Sequence, residues 1–340
     1  MADRGGLYLD SKPGLYTDVV ELDFASLFPS IIATRNISPE TLNCACCQPS
    51  TDELGPSHYL PLNISLASDE FRRRHLEERI GTGMFPVTNS WALPVPGLSS
   101  HSCGRVHGFL GRVVAPIIER RRQLKQQTIT KGDEIDKQQN ALKWLLVTCF
   151  GYTGYKNARF GRIEAHEAIC AWAREILLQT IAIAEEEGWT VLHAIVDCVW
   201  IHRDDVSRQE KLELAERFAK RVSREIGIPL EHEDLYYFIG FLPSRVHGAG
   251  SLTKYWAYGK KGLKVRGIES RQHSTCNWVK NLQETALQIL ADCVDDRIDV
   301  RNKHVQNIIC NFLHDELLKL THNQICLSDL VVTRRVSKTI

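Results

Sequence analysis

Two acids stand apart in apolar surroundings. Asp23 closes the run LYTDVVELDF (15–24), and Asp197 lies inside VLHAIVDCVWIH (191–202). Val191, Leu192, Ala194, Ile195, Val196, Val199, Trp200 and Ile201 predict a strand or hairpin buried on both faces. An uncompensated carboxylate there is costly, so Asp197 needs a partner, a proton or a metal ion. A buried acid satisfied by backbone N–H groups or an arginine is one reading. The other pairs it with Asp23, far back along the chain, as two carboxylates sharing Mg²⁺. That hard cation is held by one or two carboxylates plus substrate phosphates. Two such ions about 4 Å apart activate an attacking hydroxyl and stabilise a leaving oxygen. Arg121 and Lys125, four apart, share one helix face, and Lys143, Val147 and Gly151 share another. Three cations converging from two helices suit a triphosphate. Taken alone, residues 120–125 read as a solvated basic helix face.

The elements that must position these residues follow from periodicity and punctuation. Residues 15–24 predict a strand, and SLFPSII (26–32) a short helix with Ser26 as N-cap and Pro29 in its first turn. Helices over 108–129 and 134–150 are separated at Gly132. A helix over 163–187 leads into the strand or hairpin of Asp197. Another over 207–226 precedes the acidic strand PLEHEDLYYFIGF. From 251 a basic β-rich stretch leads to helices over 277–295 and 300–320. Residues 43–106 read as irregular and rich in Pro, Ser, Cys and His, apart from a charged helix at SDEFRRRHLEERI (68–80). The class expected is α+β, with acids on a sheet and bases on a helical hairpin.

Composition narrows the possibilities. At 340 residues the chain can form two or three domains, or one large mixed one. No 18-residue apolar run marks a membrane span, and MADRGGLYLD has no apolar core of a signal peptide. Eleven cysteines without such a signal point to free thiols in a reducing cytoplasm. The net charge of +1 conceals basic stretches at 112–127 and 254–267 and acidic ones at 184–189 and 230–234. That excludes a simple polycationic coat protein but leaves room for a local nucleic-acid channel.

DFASLFPSII (23–32) closely resembles motif A of the family B DNA polymerases, a pattern of the form DFxSLYPSI, and NISPETLNC (36–44) continues in the family's manner. ERRRQLK (119–125) and QNALKWLLVTCFGYTGY (139–155) resemble the two fingers helices, the second carrying motif B, KxxxNSxYG. VLHAIVDCVWI stands in the place of motif C, YxDTDS. LTKYWAY (252–258) and VRGIESR (265–271) resemble the KxY stretch and the entry to the thumb. With NCACC after motif A, the chain is most similar to the divergent second family B paralogue of archaea.

The resemblance implies a palm with an antiparallel sheet over 1–107 and 161–250, helical-hairpin fingers over 108–160 and a partial thumb over 251–340. It implies a template-directed DNA polymerase using Mg²⁺ or Mn²⁺, acting on primer-template DNA and dNTPs near the nucleoid. Asp23 and Asp197 become the catalytic metal ligands, with the Phe24 carbonyl and Glu231 as further candidates. Phe28 would exclude a 2′-hydroxyl, Arg121, Lys125 and Lys143 would bind the triphosphate, and Lys254 and Trp256 would touch the primer duplex. The chain begins just before motif A and ends early in the thumb. The expectation is therefore an enzyme without proofreading, serving repair or lesion bypass; either the chain is a fragment, or a further subunit supplies thumb, N-terminal or exonuclease parts.

Several positions depart from the pattern. Ile195 replaces the first motif C Asp and His193 its aromatic residue; Val147, Thr148 and Phe150 replace the motif B Asn, Ser and Tyr. Loss of one acid beside the metals predicts a slower enzyme. It also keeps open a different class, a polymerase-derived DNA-binding or assembly subunit with little or no catalysis. An RNA-making or reverse-transcribing enzyme is disfavoured while Phe28 guards the sugar. Cys44, Cys46 and Cys47, with His101, Cys103 and His107, are candidate zinc ligands, although CxCC is not the usual CxxC. Free thiols in an irregular insertion are the competing reading.

Overall fold

The computed structural model describes residues 5–47, 92–131, 133–244, 248–295 and 298–334, so the charged helix expected over 68–80 lies outside the described residues. Strands β1 (Tyr8–Leu9) and β2 (Gly14–Phe24) lead into helix α1 (Leu27–Thr34). A short antiparallel pair, β3 (Ala92–Pro94) and β4 (His101–Cys103), precedes helices α2 (Phe109–Lys131), α3 (Asp133–Thr153) and α4 (Ile163–Glu186). Then come β5 (Thr190–Ile195), β6 (Cys198–His202), α5 (Arg208–Ile226), β7 (Leu230–Pro243), β8 (Gly250–Gly259) and β9 (Gly262–Arg266). Helices α6 (Asn277–Asp295) and α7 (Lys303–Thr321) close the order. The class is α+β, with seven strands in the order β1-β5-β6-β2-β7-β8-β9.

Strand β2 stands at the centre of that order, and its sequence shows why. Val19, Val20 and Leu22 are fully buried, and a run apolar on both faces suits a strand flanked and covered on all sides. The run 191–202 resolves into the hairpin β5–β6, whose turn is Val196–Asp197.

Chain contacts define two units: Met1–Tyr8, Leu22–Val199 and Gln209–His232 form one, and Leu9–Glu21, Trp200–Arg208 and Glu233–Ile340 the other. In the first, α1 packs against α2, α3 and α4, and α2 against α3. Helix α4 buries Ala165, Ala168, Ile169, Ala173, Ile176 and Leu177, small and branched residues that allow close approach. Pro116 lies inside α2 and withdraws one backbone donor there.

The first N–H groups of α2 have no partner within their own helix, and the turn after α1 supplies them. Asn36 Oδ1 accepts from Gly108 N at 2.7 Å, Glu40 Oε1 from Phe109 N at 2.5 Å and Ser38 Oγ from Leu110 N at 3.3 Å. At α1 itself, Ser26 occupies the N-cap position but makes no side-chain cap bond, because it adopts a left-handed conformation (φ 54°) and its hydroxyl is engaged elsewhere.

In the second unit β7, β8 and β9 form an antiparallel meander, with Gly240 opposite Trp256 and Tyr255 opposite Arg266. A side chain at Gly240 would come within 2.5 Å of the Trp256 ring, so glycine is what lets that ring lie over the neighbouring strand. Glu21, only 3% exposed, is compensated by Lys264 Nζ at 2.6 Å and by the Tyr236 hydroxyl, tying β2, β7 and β9 together. Burial, reinforced by the Glu21 carboxylate, holds the Tyr236 hydroxyl protonated far above its usual range.

Candidate active site

The two isolated acids meet in the first unit. Asp23 is the penultimate residue of β2, and Asp197 sits in the β5–β6 turn. The Phe24 N–H donates to the Asp197 carbonyl at 2.9 Å, locking the end of β2 against that turn. Val196 adopts φ 50°, a left-handed conformation costly for a β-branched residue. Its N–H is held by the Leu7 carbonyl at 2.9 Å, and a side chain at Gly6 would come within 2.7 Å of Val196 Cγ2. The strained turn is thus clamped by the residues preceding β1, which aims Asp197 toward Asp23.

A third group joins them. Cys198 Sγ lies 3.4 Å from Asp23 Oδ1 and 3.5 Å from Asp197 Oδ1, and one ligand atom from each of the three residues lies within 4.8 Å of the others. Two half-buried carboxylates this close repel one another, and a shared proton, a nearby cationic side chain or a divalent cation relieves such repulsion. The donor set fits such an ion. Cys198, read from sequence as a core residue, was the partner missed; its adjacency to Asp197 was the only signal. Ile195, in the place of the first motif C acid, is half-buried at the end of β5.

Of the further candidates, Phe24 is buried, with its N–H spent on Asp197. Glu231 stands outside the Asp23–Asp197–Cys198 group and pairs with Lys125, Oε2 to Nζ 2.5 Å. Arg121, one turn before Lys125, donates from Nη1 to Ser26 Oγ at 2.8 Å, linking α2 to motif A. Burial lowers the Arg121 pKa, and the Glu231 and Asp23 carboxylates pull against that, which places both acids in its electrostatic reach. Lys143 is exposed on α3; on the same face Val147 is 48% exposed, and a side chain at Gly151 would meet open space. All three of these α3 positions are exposed.

Phe28 is fixed by stacking. Its ring lies 4.2 Å from that of Phe150 at 16°, and Phe150 lies 4.4 Å from His166 at 19°. Thr153 Oγ1 lies 3.2 Å from His166 Nδ1. Phe150, the substitute for the motif B Tyr, therefore connects motif A to α4 through a three-ring stack that spacing alone did not suggest. Thr148, in the motif B Ser position, turns its hydroxyl back to the Leu145 carbonyl of its own helix. Lys254 and Trp256 lie on β8 in the second unit, both half-buried. Cys44, Cys46, Cys47 and Cys103 converge, whereas His107 lies against Gly111. Among the described residues no helix is long and apolar enough to cross a membrane.

Comparison with known proteins bears on the same residues. The profile described as DNA polymerase family B matches residues 2–340. DNA polymerase 2 of Saccharolobus solfataricus is 32% identical over 288 residues, which cover 85% of this chain and 35% of that protein. The DNA polymerase of Archaeoglobus fulgidus is 23% identical over 342 residues, covering 98% of this chain and 35% of the relative. The chain thus spans about a third of the length of these relatives. The solved family B DNA polymerase of Pyrobaculum calidifontis matches 98% of this chain and 36% of its own, with a TM-score of 0.63 at 20% identity, a likeness of fold. Matched by the profile from residue 2 to residue 340, the chain belongs to DNA polymerase family B.

Proposed function

We propose that the Asp23–Asp197 pair serves template-directed addition of deoxynucleotides to a primer 3′ end. The observation that carries this is the convergence of two carboxylates, from β2 and the β5–β6 turn, within 4.8 Å. Mg²⁺ or Mn²⁺ held by Asp23 and Asp197 would supply Lewis-acid stabilisation of the charge that builds on the attacking and leaving oxygens. In the reaction the primer 3′-hydroxyl loses its proton to solvent as the O3′–Pα bond forms, the bond from Pα to the bridging oxygen breaks, and pyrophosphate leaves.

The chain's own groups do the positioning. Arg121 and Lys125 on α2 take the triphosphate, with Glu231 holding Lys125 in place until phosphate oxygens replace it. Lys143, exposed on α3, adds a third cation. Phe28, immobilised between motif A and Phe150, meets the sugar where a 2′-hydroxyl would project. Lys254 and Trp256 are the proposed contacts to the primer duplex. In this reading residues 1–107 and 161–250 are palm, 108–160 fingers and 251–340 part of the thumb. Ile195 leaves the site one carboxylate short of the family pattern, so turnover is slow.

Primer extension by the wild-type chain beside Asp23→Ala and Asp197→Ala tests the proposal. Metal-dependent extension lost in both variants is expected, and extension that survives both substitutions would overturn it.

A further inference from the structure

Four cysteines from two distant segments share one small volume. Cys46 Sγ lies 3.4 Å from that of Cys44, 3.8 Å from that of Cys47 and 3.6 Å from that of Cys103; Cys47 and Cys103 are 3.5 Å apart. All four sulphurs lie within 4.8 Å of one another, and none is in a disulfide. Four thiolates placed about 2.3 Å from a tetrahedral zinc ion lie about 3.8 Å from each other. The observed spacing is that of a tetrathiolate shell. Mutual contact among four neutral thiols, each a weak donor, is no sufficient reason to gather them.

The backbone around Cys103 is arranged for negative charge. Arg105 N–H and Val106 N–H both point at Cys103 Sγ, at 3.4 and 3.3 Å. Amide dipoles aimed at one sulphur stabilise a thiolate and are the outer-shell contacts that orient a metal ligand. On the other segment a 3-10 turn over Ala45–Cys47, closed by Cys47 N–H to the Cys44 carbonyl at 3.3 Å, brings three sulphurs of the unusual CxCC run together. His101 Nε2 sits 3.7 Å from Cys44 Sγ, as an outer neighbour.

We propose that Cys44, Cys46, Cys47 and Cys103 form a closed structural zinc site. Zinc enters as the thiols release their protons to solvent, with no change of oxidation state. An iron–sulfur cluster fits less well, because its core would spread the four sulphurs beyond mutual contact. The site pins Cys103, whose carbonyl accepts from Asn36 Nδ2 at 2.6 Å, and the loop to Val106, whose carbonyl accepts from the same amide at 2.8 Å. Asn36 Oδ1 in turn caps α2 through Gly108 N. The ion therefore stiffens the socket of the helix that carries Arg121 and Lys125.

Metal content of the purified wild-type chain, measured by mass spectrometry after dialysis, tests this. One zinc per chain is expected, falling roughly tenfold or more in Cys103→Ser and Cys46→Ser and unchanged in Cys310→Ser, an exposed cysteine elsewhere. Cobalt in place of zinc should give intense thiolate-to-metal absorbance in the wild type that each ligand variant weakens. Hydrogen exchange at residues 108–110 should quicken when zinc is stripped. A wild-type chain without bound zinc, an iron chromophore, or zinc lost on Asp23→Ala instead of the cysteine substitutions would each overturn the proposal. If Cys103→Ser does not fold, Cys46→Ser and the wild-type metal content still decide.

Discussion

Lys125 Nζ lies 2.5 Å from Glu231 Oε2, so an acid named as a further metal-ligand candidate is paired with a cation proposed to bind phosphate. Both side chains are more than a third exposed, and such a pair contributes under about 1 kcal/mol to stability. Its effect should be on binding. Glu231→Gln frees Lys125, and steady-state kinetics should show the KM for dNTP falling about threefold, roughly 0.6 kcal/mol, with kcat held. A loss of kcat with KM unchanged would instead place Glu231 with the reacting groups.

Cys198 beside Asp23 and Asp197 would bring a soft ligand to the proposed Mg²⁺ site. Thiolates select thiophilic ions. Cd²⁺ should therefore inhibit Mg²⁺-dependent extension, and Cys198→Ser should raise the Cd²⁺ needed for half-inhibition about tenfold while the Mg²⁺ rate stays within about twofold. Equal sensitivity of the two proteins would remove Cys198 from the metal's surroundings.

The stack of Phe28, Phe150 and His166 would give the proposed sugar selection by Phe28 a mechanical support. Phe150→Leu keeps an apolar side chain but removes the ring pairing, worth about 1 kcal/mol. Thermal unfolding should report that loss. The ratio of kcat/KM for dNTP over rNTP should drop as well, although Phe28 is untouched. A ratio that does not move would mean that Phe28 needs no backing.

Glu40 caps α2 from outside. Burial works to raise its pKa, but the Ser38 hydroxyl, the Phe109 N–H and Arg112 outweigh burial and leave it below the ordinary carboxylate value. A depressed folded-state pKa means stability present above the unfolded value and lost as pH falls through the folded one. Glu40→Gln should cost about 1 kcal/mol near pH 7. Urea denaturation should show that difference shrinking below about pH 4; a pH-independent difference would point to packing instead.

Much of the scaffold was legible because its helices bury one face and expose the other. The helix expected over 163–187 runs Ile163–Glu186, that over 207–226 runs Arg208–Ile226, and 277–295 matches Asn277–Asp295. These boundaries follow from apolar spacing and from the turns that stop each run. The short pair β3–β4 was not legible in a stretch read as irregular, since three-residue strands carry too few alternations to register. Asp23 and Asp197 stood out because an acid in an apolar run needs compensation. Cys198 and His166 did not, and Ser26 stood out only as an N-cap, because thiols, hydroxyls and imidazoles occur in cores and at caps for many reasons. What distinguishes them is distance, set by a strained Val196 and a left-handed Ser26 that no pattern of residue types announces.

The most direct test of the Asp23–Asp197 assignment is Mn²⁺ binding followed by electron paramagnetic resonance, with primer-template DNA and dNTP present. The wild-type chain should bind Mn²⁺ more tightly when dNTP is added. Asp23→Ala and Asp197→Ala should each weaken that binding about tenfold or more, at least 1.4 kcal/mol, with no change in overall fold by circular dichroism. Mn²⁺ affinity unchanged in both variants would contradict the account.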